Sequence, residues 1–357
     1  MKKALVVVLS AIMVLTMSVV LTGCGGSSSS GGSASGNSGS KVTIHFGATT
    51  ATNHAWYKDA KKFKETVEKD SDGSISVALE FGGVNGSDKD YAEGVQNGTI
   101  DMYIGSTVGF DTMVPKIDYV NLPYFIDSYE TADKLIYGED GTGTGWVGEN
   151  IKKNAEEAGY HWLGITDCDF RWISDSKRPI KSAADMKGMK LRVPEAPMFL
   201  EFFKNLGATP TAMGITEVAS ALQQKTIDGQ DNGPILSYYG FGFSQFNKYF
   251  TKTNHSFAPA VVVMSTKCWD SLSEDQQKIV QDAATTYCEQ VKTDLRKDVK
   301  TAEKEMTEKD GCKVIEATPQ LKKDMQKAAY KVWQDKKVTK TFDQDAVAKM
   351  LKDANLD

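Results

Sequence analysis

Arginine is scarce in this chain and is therefore the first residue type to examine for chemistry. Of 42 basic residues only four are arginine, namely Arg171, Arg178, Arg192 and Arg296. The first three fall within 22 consecutive positions. A guanidinium offers a planar fork that pairs bidentately with a carboxylate, whereas an ammonium is a hydrated point charge. Arg192 lies in the alternating run MKLRV, which Pro194 stops. We expect it at the C-terminal edge of a strand, where α/β sheets bind ligands; a surface salt bridge is the alternative.

Three further residues occupy similar positions at the ends of predicted elements. Arg171 and Trp172 come near the end of the long extended run HWLGITDCDFRWIS, and Asn232 lies in DGQDNGP, whose composition predicts a turn over 228–234. A cleft between two lobes would gather such side chains. Two guanidinium groups hold a carboxylate more strongly than one, and an amide can donate or accept hydrogen bonds. Trp56 and Trp172 are candidate cleft walls, with core packing as the alternative.

The residues give little support to an enzyme. The chain has four histidines and no HExxH, GxSxG or Walker sequence. GTGWVG at 143–148 matches GxGxxG, but a predicted helix and turn precede it instead of a strand, so we interpret it as a loop that opens the next helix. No histidine has a metal-ligating residue at i+3 or i+4. We therefore predict no catalytic residue, no metal and no cofactor, and keep a secreted hydrolase only as an alternative.

The elements that must position these residues alternate between strands and helices. Short apolar runs at 41–48, 75–81 and 100–104 predict strands, and helical patterns separate them, which is typical of a mixed α/β architecture. The run HWLGITDCDFRWIS spans 161–174 and is longer than the usual strand, so we expect it to pass from one lobe to the other. HSFAPAVVVMS at 255–265 is expected to cross back.

A single long helix is the clearest architectural signal. Residues 273–310 contain no Gly or Pro, and Ser273 with Gln276 forms a capping box. Apolar residues recur at spacings of three and four through Met306, which predicts one stripe on a helix of about 57 Å. A helix of that length is expected to lie across both lobes. The alternative is a kink near Tyr287 that makes two helices.

The first 40 residues predict export and anchoring. Lys2 and Lys3 precede a charge-free apolar run that ends in LTGC at 21–24, so 1–23 is interpreted as a lipoprotein signal peptide and Cys24 as the lipidated residue, carrying a fatty acyl group such as palmitate. An uncleaved membrane anchor is the alternative. The Gly/Ser segment to residue 40 predicts a flexible linker. The chain after residue 23 has 40 basic and 47 acidic residues, a net charge of 40 − 47 = −7, which offers no nucleic-acid footprint.

Several motifs in fixed order resemble one transporter family. They are RPIKSAADMKGMKLRVP, LGATPTAM, TEVASALQQKTIDGQDN and TNH, together with NGTIDM, LPYFI and LSEDQQKIVQDAA. Over about residues 41–350 the chain resembles the solute-binding subunits of tripartite ATP-independent periplasmic (TRAP) transporters, the DctP-like family. The resemblance implies a two-lobed type II periplasmic-binding-protein fold with crossing strands and a long helix over both lobes.

The resemblance also implies roles for individual residues. The Arg of the LRVP motif, here Arg192, forms the salt bridge to the ligand carboxylate in that family. Arg171 corresponds to the Arg at the end of the crossing strand, and Asn232 to the Asn of the DGQEN motif, which reads DGQDN here. Members of that family also contact the ligand at positions that correspond to Ser106 and to the loop from Thr49 to Trp56. Ser106 stands where sialic-acid binders have an acidic residue, and Ile215 where an aromatic is common, so sialic acid is disfavoured.

Together these observations predict an extracytoplasmic, lipid-anchored and monomeric binding protein that delivers a small carboxylate ligand to TRAP membrane permease subunits. The ligand is expected to be a C4-dicarboxylate or a sugar acid such as a hexuronate. Lobe I is predicted to contain residues 41–168 and about 258–297, and lobe II residues 169–257 and about 298–357. A binding protein of an ATP-driven transporter and a structural or adhesive lipoprotein are further alternatives.

Overall fold

The computed structural model describes residues 41–353, so the predicted signal peptide, Cys24 and the Gly/Ser linker lie outside the described residues. The described chain forms two β-sheets flanked by helices, the mixed α/β class that the sequence predicts. Its strands are β1 (Val42–Ala48), β2 (Ile75–Phe81), β3 (Met102–Ser106), β4 (Tyr160–Phe170), β5 (Trp172–Asp175), β6 (Lys190–Val193), β7 (Thr209–Ala212), β8 (Gly229–Asn232), β9 (Tyr249–Lys252), β10 (Phe257–Ser265) and β11 (Lys313–Glu316).

The helices pack on these sheets and connect their strands. They are α1 (Ala55–Asp70), α2 (Asp88–Asn97), α3 (Thr107–Phe110), α4 (Tyr129–Ala132), α5 (Trp146–Glu157), α6 (Pro197–Asn205), α7 (Val218–Gln223), α8 (Thr266–Ser271), α9 (Glu274–Glu308), α10 (Pro319–Trp333), α11 (Lys336–Thr339) and α12 (Gln344–Asp353). Two π-helical turns cover Asp133–Tyr137 and Leu236–Gly240. None of the helices between residues 41 and 353 is both long enough and apolar enough to span a bilayer.

Each sheet is the centre of one lobe. The first sheet has the order β2-β1-β3-β10-β4, with β1 parallel to β2 and β3, and β10 antiparallel to β3 and β4. The second sheet has the order β11-β9-β5-β8-β6-β7. We call the parts built on these sheets the first lobe and the second lobe. The exact lobe boundaries given above remain a prediction.

The chain passes between the two sheets three times, through two short connections and through the long helix α9. The predicted crossing run is divided at Arg171, because β4 ends at Phe170 in the first sheet and β5 begins at Trp172 in the second. The return connection lies between β9 and β10. The backbone N–H of Arg171 donates to the carbonyl oxygen of Ser256 at 2.8 Å, so the two connections run side by side and are hydrogen-bonded to each other.

The long helix is confirmed as one unbroken element. Helix α9 has 35 residues, or about 52 Å of helix, and Ser273 and Gln276 form the predicted capping box. Tyr287 packs edge-on against Phe46 of the first sheet, with ring centroids 5.6 Å apart. Met306 lies in a cluster with Trp172 and Phe250 of the second sheet. The helix therefore contacts both lobes without a break at Tyr287.

The predicted turn over 228–234 is wrong for most of its length. Gly229–Asn232 form β8, a fully buried strand between β5 and β6. Two of its polar side chains have buried partners: the Gln230 amide donates to Ser174 Oγ at 3.0 Å and to Ser237 Oγ at 3.1 Å, and Asp231 Oδ1 accepts from Arg171 Nε at 2.9 Å. Because buried polar groups are stable only when they are hydrogen-bonded, these contacts allow a turn-like sequence to form a central strand.

Candidate functional site

A cleft between the lobes brings together four of the predicted site residues. The cleft has a volume of about 550 Å³, part of it open to solvent, and Ser106, Arg171, Arg192 and Asn232 all line it. Ser106 ends β3 of the first lobe, whereas Arg192 and Asn232 lie in β6 and β8 of the second, and Arg171 lies in the connection between β4 and β5. Strand ends from both sheets therefore converge on one space.

Arg192 is a buried cation with no carboxylate within ion-pair distance among the described residues, although the charges of Asp231, Glu195 and Asp88 act on it from farther away. Its side chain is 4% exposed. Nε and Nη2 donate to the carbonyl oxygen of Met213 at 2.9 and 2.8 Å, and Nη1 lies 3.4 Å from the carbonyl oxygen of Asp231. Burial, followed by the charge of Arg171, lowers the pKa of Arg192 from its ordinary value to about 9. A guanidinium in a low-dielectric site without a direct ion-pair partner favours a bound anion.

Arg171, in contrast, already has a counter-ion. Its Nε lies 2.9 Å from Asp231 Oδ1, and its Nη2 donates to the Asp231 carbonyl oxygen at 2.6 Å. His255 Nε2 lies 3.1 Å from the same carboxylate oxygen. Burial would raise the pKa of Asp231, but the charges of Arg171 and His255 outweigh burial and lower it. Asp231 is therefore ionised, and the pair adds little net charge to the cleft.

Asn232 presents a donor without a partner. Its Oδ1 accepts the backbone N–H of Gly233 at 2.9 Å, which fixes the orientation of the amide. Its Nδ2 is buried and has no hydrogen-bond partner among the described residues. A buried donor left unpaired costs free energy, and a bound oxygen would satisfy it. Ser106 Oγ accepts the backbone N–H of Val108 at 3.2 Å, and the residue lines the cleft from the first lobe.

The other three predicted site residues do not line the cleft. Trp56 is buried in the first lobe, where its Nε1 donates to the carbonyl oxygen of Asp167 at 3.3 Å. Trp172 donates to Asn254 Oδ1 at 2.7 Å and packs in the cluster beneath α9. Thr49 lies behind the cleft wall and donates to Asp88 Oδ1 at 3.1 Å. The two Trp side chains have the core-packing role that was the alternative, and Thr49 orients a cleft residue.

Sequence reasoning missed the acidic residues of the cleft. Asp88, the first residue of α2, and Glu195, just after β6, both line it, and Lys89 lies beside them. The capping box of Ser87 and Asp90 is a signal that could have located Asp88 at a helix start. Nothing in the local sequence shows that this helix start faces Arg192. Among the described residues, no group of three or more His, Cys, Asp or Glu side chains is arranged to hold a metal ion.

Comparison with known proteins agrees with this geometry. The profile of the bacterial extracellular solute-binding protein family 7, DctP, matches residues 46–340. The chain belongs to this family. The match confirms the TRAP assignment made from the motifs, and it places the protein outside the cell cytoplasm as a binding subunit that works with permease partners. The family members are binding proteins rather than enzymes, which removes the hydrolase alternative. The TRAP assignment removes the ATP-driven transporter.

Three relatives illustrate the similarity. The 2,3-diketo-L-gulonate-binding periplasmic protein YiaO of Escherichia coli is 29% identical over 242 residues, which is 68% of this chain and 71% of YiaO. The TRAP solute-binding protein of Roseobacter denitrificans with bound L-galactonate is 30% identical, with a TM-score of 0.74 over 82% of this chain and 94% of that chain. The sugar acid binding protein DctPAm of Advenella mimigardefordensis, in complex with galactonate, is 26% identical, with a TM-score of 0.81 over 89% of this chain and 99% of that chain. These structures confirm the two-lobed TRAP binding-protein fold.

Proposed function

We propose that this TRAP solute-binding subunit captures a small organic acid by its carboxylate at Arg192 and delivers the acid to the membrane permease. The observation that carries the proposal is the buried Arg192 guanidinium, which faces the cleft and whose hydrogen bonds all go to carbonyl groups. A ligand carboxylate would form the direct ion pair that Arg192 lacks among the described residues. Charge-assisted bonds to a buried group contribute roughly 1.5 to 3 kcal/mol each.

Two neighbouring donors complete the proposed carboxylate site. Asn232 Nδ2 is unpaired and buried at the cleft, and the Ser106 hydroxyl lines the same space from the first lobe. Arg171 keeps its ion pair with Asp231 and contributes its remaining N–H groups to the lining of the cleft. We do not include Thr49, Trp56 and Trp172 in the proposed contact set, because they lie outside the lining of the cleft.

The ligand class is proposed to be a C4-dicarboxylate or a sugar acid such as a hexuronate. The relatives support the sugar-acid side: the named ligands of the Escherichia coli, Roseobacter denitrificans and Advenella mimigardefordensis proteins are all sugar acids. The cleft agrees with that chemistry because it contains oxygen acceptors as well as cationic donors. A polyhydroxylated acid presents both a carboxylate and hydroxyl donors.

Thermal shift across a library of organic acids, followed by calorimetry, tests the proposal. A ligand that binds the folded state raises the melting temperature by mass action. Arg192→Lys keeps the charge but loses the planar fork, so we expect the affinity for the identified acid to fall about tenfold or more. Arg178→Lys is the matched control, because Arg178 is exposed and its Nη2 contacts only the Asp185 carbonyl. Unchanged affinity in Arg192→Lys would remove Arg192 from the site.

We further propose that the protein is a monomer held at the membrane by a lipid on Cys24. The support for the lipid anchor is the sequence of residues 1–40: two lysines, an apolar run, LTGC and a Gly/Ser linker. Mass spectrometry of the N-terminal fragment is expected to show Cys24 as the first residue of the mature chain, carrying an acyl group that Cys24→Ser lacks. A wild-type N-terminus that still contains residues 1–23 and carries no acyl group would favour the uncleaved apolar anchor.

A further inference from the structure

Asp88 is a fixed acceptor on the first-lobe wall of the cleft. It is the first residue of α2 and follows the N-cap Ser87. Its Oδ1 accepts hydrogen bonds from the Tyr103 hydroxyl at 2.7 Å and the Thr49 hydroxyl at 3.1 Å. Its Oδ2 has no donor among residues 41–353 and is not among the fully buried, unpaired oxygens. One oxygen therefore orients the carboxylate, and the other remains available to a bound molecule.

The backbone opposite Asp88 is shaped to hold this carboxylate close. A Cβ at Gly109 would lie 2.6 Å from Asp88 Cβ and 3.1 Å from Asp88 Oδ2, well inside contact distance. Gly109 and Asp88 both line the cleft. The Asp88 side chain therefore occupies the space that a side chain at Gly109 would fill. Because two hydroxyl donors and a close backbone restrain it, Asp88 presents its acceptor in one geometry.

Charged groups of both signs line the cleft. Arg192 provides the cation, and Glu195 of the second lobe provides a second carboxylate that lies beside Gly214, with Glu195 Oε2 3.6 Å from where a Gly214 Cβ would lie. Burial raises the pKa of Asp88, and the charge of Glu195 raises it further, while hydrogen bonds from Tyr103 and Thr49 and the charge of Arg192 oppose this. The side chain of Lys89 also lines the cleft from an exposed position.

A ligand must match this arrangement of acceptors and donors. One carboxylate satisfies Arg192 and Asn232. A second carboxylate would meet Asp88 and Glu195, and like charges in a partly desolvated site repel strongly. A hydroxyl group instead donates its hydrogen to Asp88 Oδ2 and forms a charge-assisted hydrogen bond. The acceptors in the cleft therefore favour hydroxyl-bearing ligands and oppose doubly charged ones.

We infer that Asp88 is a specificity-determining residue that selects hydroxylated monocarboxylates over dicarboxylates by accepting a ligand hydroxyl. The inference rests on the proposed function, because it assumes that the ligand carboxylate sits at Arg192. The inference decides between the two ligand classes of the proposed function: it predicts that aldonates and uronates bind and that C4-dicarboxylates bind poorly.

Galactonate and galactarate form a matched pair of probes, because they differ only in a terminal CH₂OH or carboxylate group. Succinate, which has no hydroxyl, is the third probe. By calorimetry at neutral pH we expect the wild-type protein to bind galactonate about tenfold or more tighter than galactarate or succinate. In Asp88→Asn this preference is expected to shrink strongly, because the amide removes the charge that opposes a second carboxylate. The amide oxygen still accepts the Tyr103 and Thr49 hydroxyl groups, so the variant keeps the local fold.

Two further variants make the result specific to this position. Glu93→Gln removes the same charge from an exposed residue of the same helix, and we expect it to keep the wild-type preference. Lys89→Gln tests whether the exposed ammonium receives a second carboxylate. A selective loss of galactarate binding in Lys89→Gln, equal affinities for galactonate and galactarate in the wild type, or an unchanged preference in Asp88→Asn would each overturn the inference.

The proposed function and the inference fail in distinguishable ways. If the wild type binds galactarate or succinate more tightly than galactonate and Arg192→Lys abolishes this binding, the carboxylate site stands and the role of Asp88 is overturned. If none of the three probes binds but another acid of the library binds through Arg192, the inference is likewise overturned alone. If no organic acid binds, both are overturned.

Discussion

Arg171 and Arg192 bring the same charge to the cleft, but they have different partners. Asp231 neutralises Arg171 through a buried ion pair and a backbone hydrogen bond. Arg192 donates hydrogen bonds only to backbone carbonyl groups among the described residues. Its guanidinium is therefore available to form an ion pair with a ligand. Removing one member of a buried ion pair leaves the other uncompensated, which is strongly destabilising. Loss of Arg171 would thus affect folding as well as binding, and Arg192 is the better probe of ligand contact.

The buried carboxylate of Asp169 predicts a measurable pH dependence of stability. It lies buried near the end of β4, where its carboxylate accepts the backbone N–H groups of Phe170 at 2.6 Å and Ile235 at 3.4 Å. Burial raises the pKa of Asp169 from 3.8 to about 7, against the effect of these hydrogen bonds. The folded protein therefore keeps this proton to higher pH than the unfolded chain, so the contribution of Asp169 to stability falls as pH rises from about 4 to about 7 and is constant above.

In Asp169→Asn this pH-dependent loss is expected to disappear. As the pH rises from about 4 to about 8, the free energy of unfolding of the variant should increase relative to that of the wild type, by on the order of a few kcal/mol. Urea unfolding at both pH values measures the difference. Asp282→Asn, which removes a carboxylate from an exposed ion pair with Lys278, is the control and should follow the wild type. Parallel curves for Asp169→Asn and the wild type would show that folding does not raise the pKa of Asp169.

At the scale of elements, local patterns predicted some structures and could not predict others. Helix α9 is specified by neighbours in sequence: a capping box at Ser273, a stripe with helical spacing and no Gly or Pro. Strand β8 is not specified locally. Its Gln230 bonds Ser174, 56 positions away, and its Asp231 bonds Arg171, 60 positions away. Those partners, rather than the propensities of Asp, Gly and Asn, make the segment a buried strand.

In the cleft, too, local sequence patterns predicted some residues, whereas others depend on contacts between distant segments. Arg192 was placed correctly at the cleft edge because a strand ending at Pro194 is a local pattern, and strand ends collect where two sheets meet. Asp88 belongs to the cleft only because the start of α2 folds against Gly109, a contact that no spacing in the sequence reveals. Trp56 and Trp172 have the size and polarity of cleft walls, but each indole N–H has a partner inside its own part of the fold. Residue type alone could not distinguish these two uses of tryptophan.

The whole molecule has two lobes joined by two adjacent connections and one long helix. The connections at Arg171 and Ser256 are hydrogen-bonded to each other, so they can act as a common hinge. Proposed ligand contacts come from both sides of this hinge: Ser106 and Asp88 from the first lobe, and Arg192 and Asn232 from the second. A ligand favours a closed arrangement only through contacts that it makes better there than in an open one. Bridging both lobes provides such contacts.

We therefore expect the bound acid to make the protein more compact in solution. Small-angle X-ray scattering of the wild type should show a smaller radius of gyration when the identified ligand is saturating. Arg192→Lys at the same ligand concentration should scatter like the free protein, because it lacks the guanidinium fork that holds the carboxylate. Arg178→Lys should contract like the wild type. Identical scattering of the wild type with and without a ligand that calorimetry shows to be bound would mean that the lobes do not close on it, and that binding at Arg192 is independent of motion at the hinge.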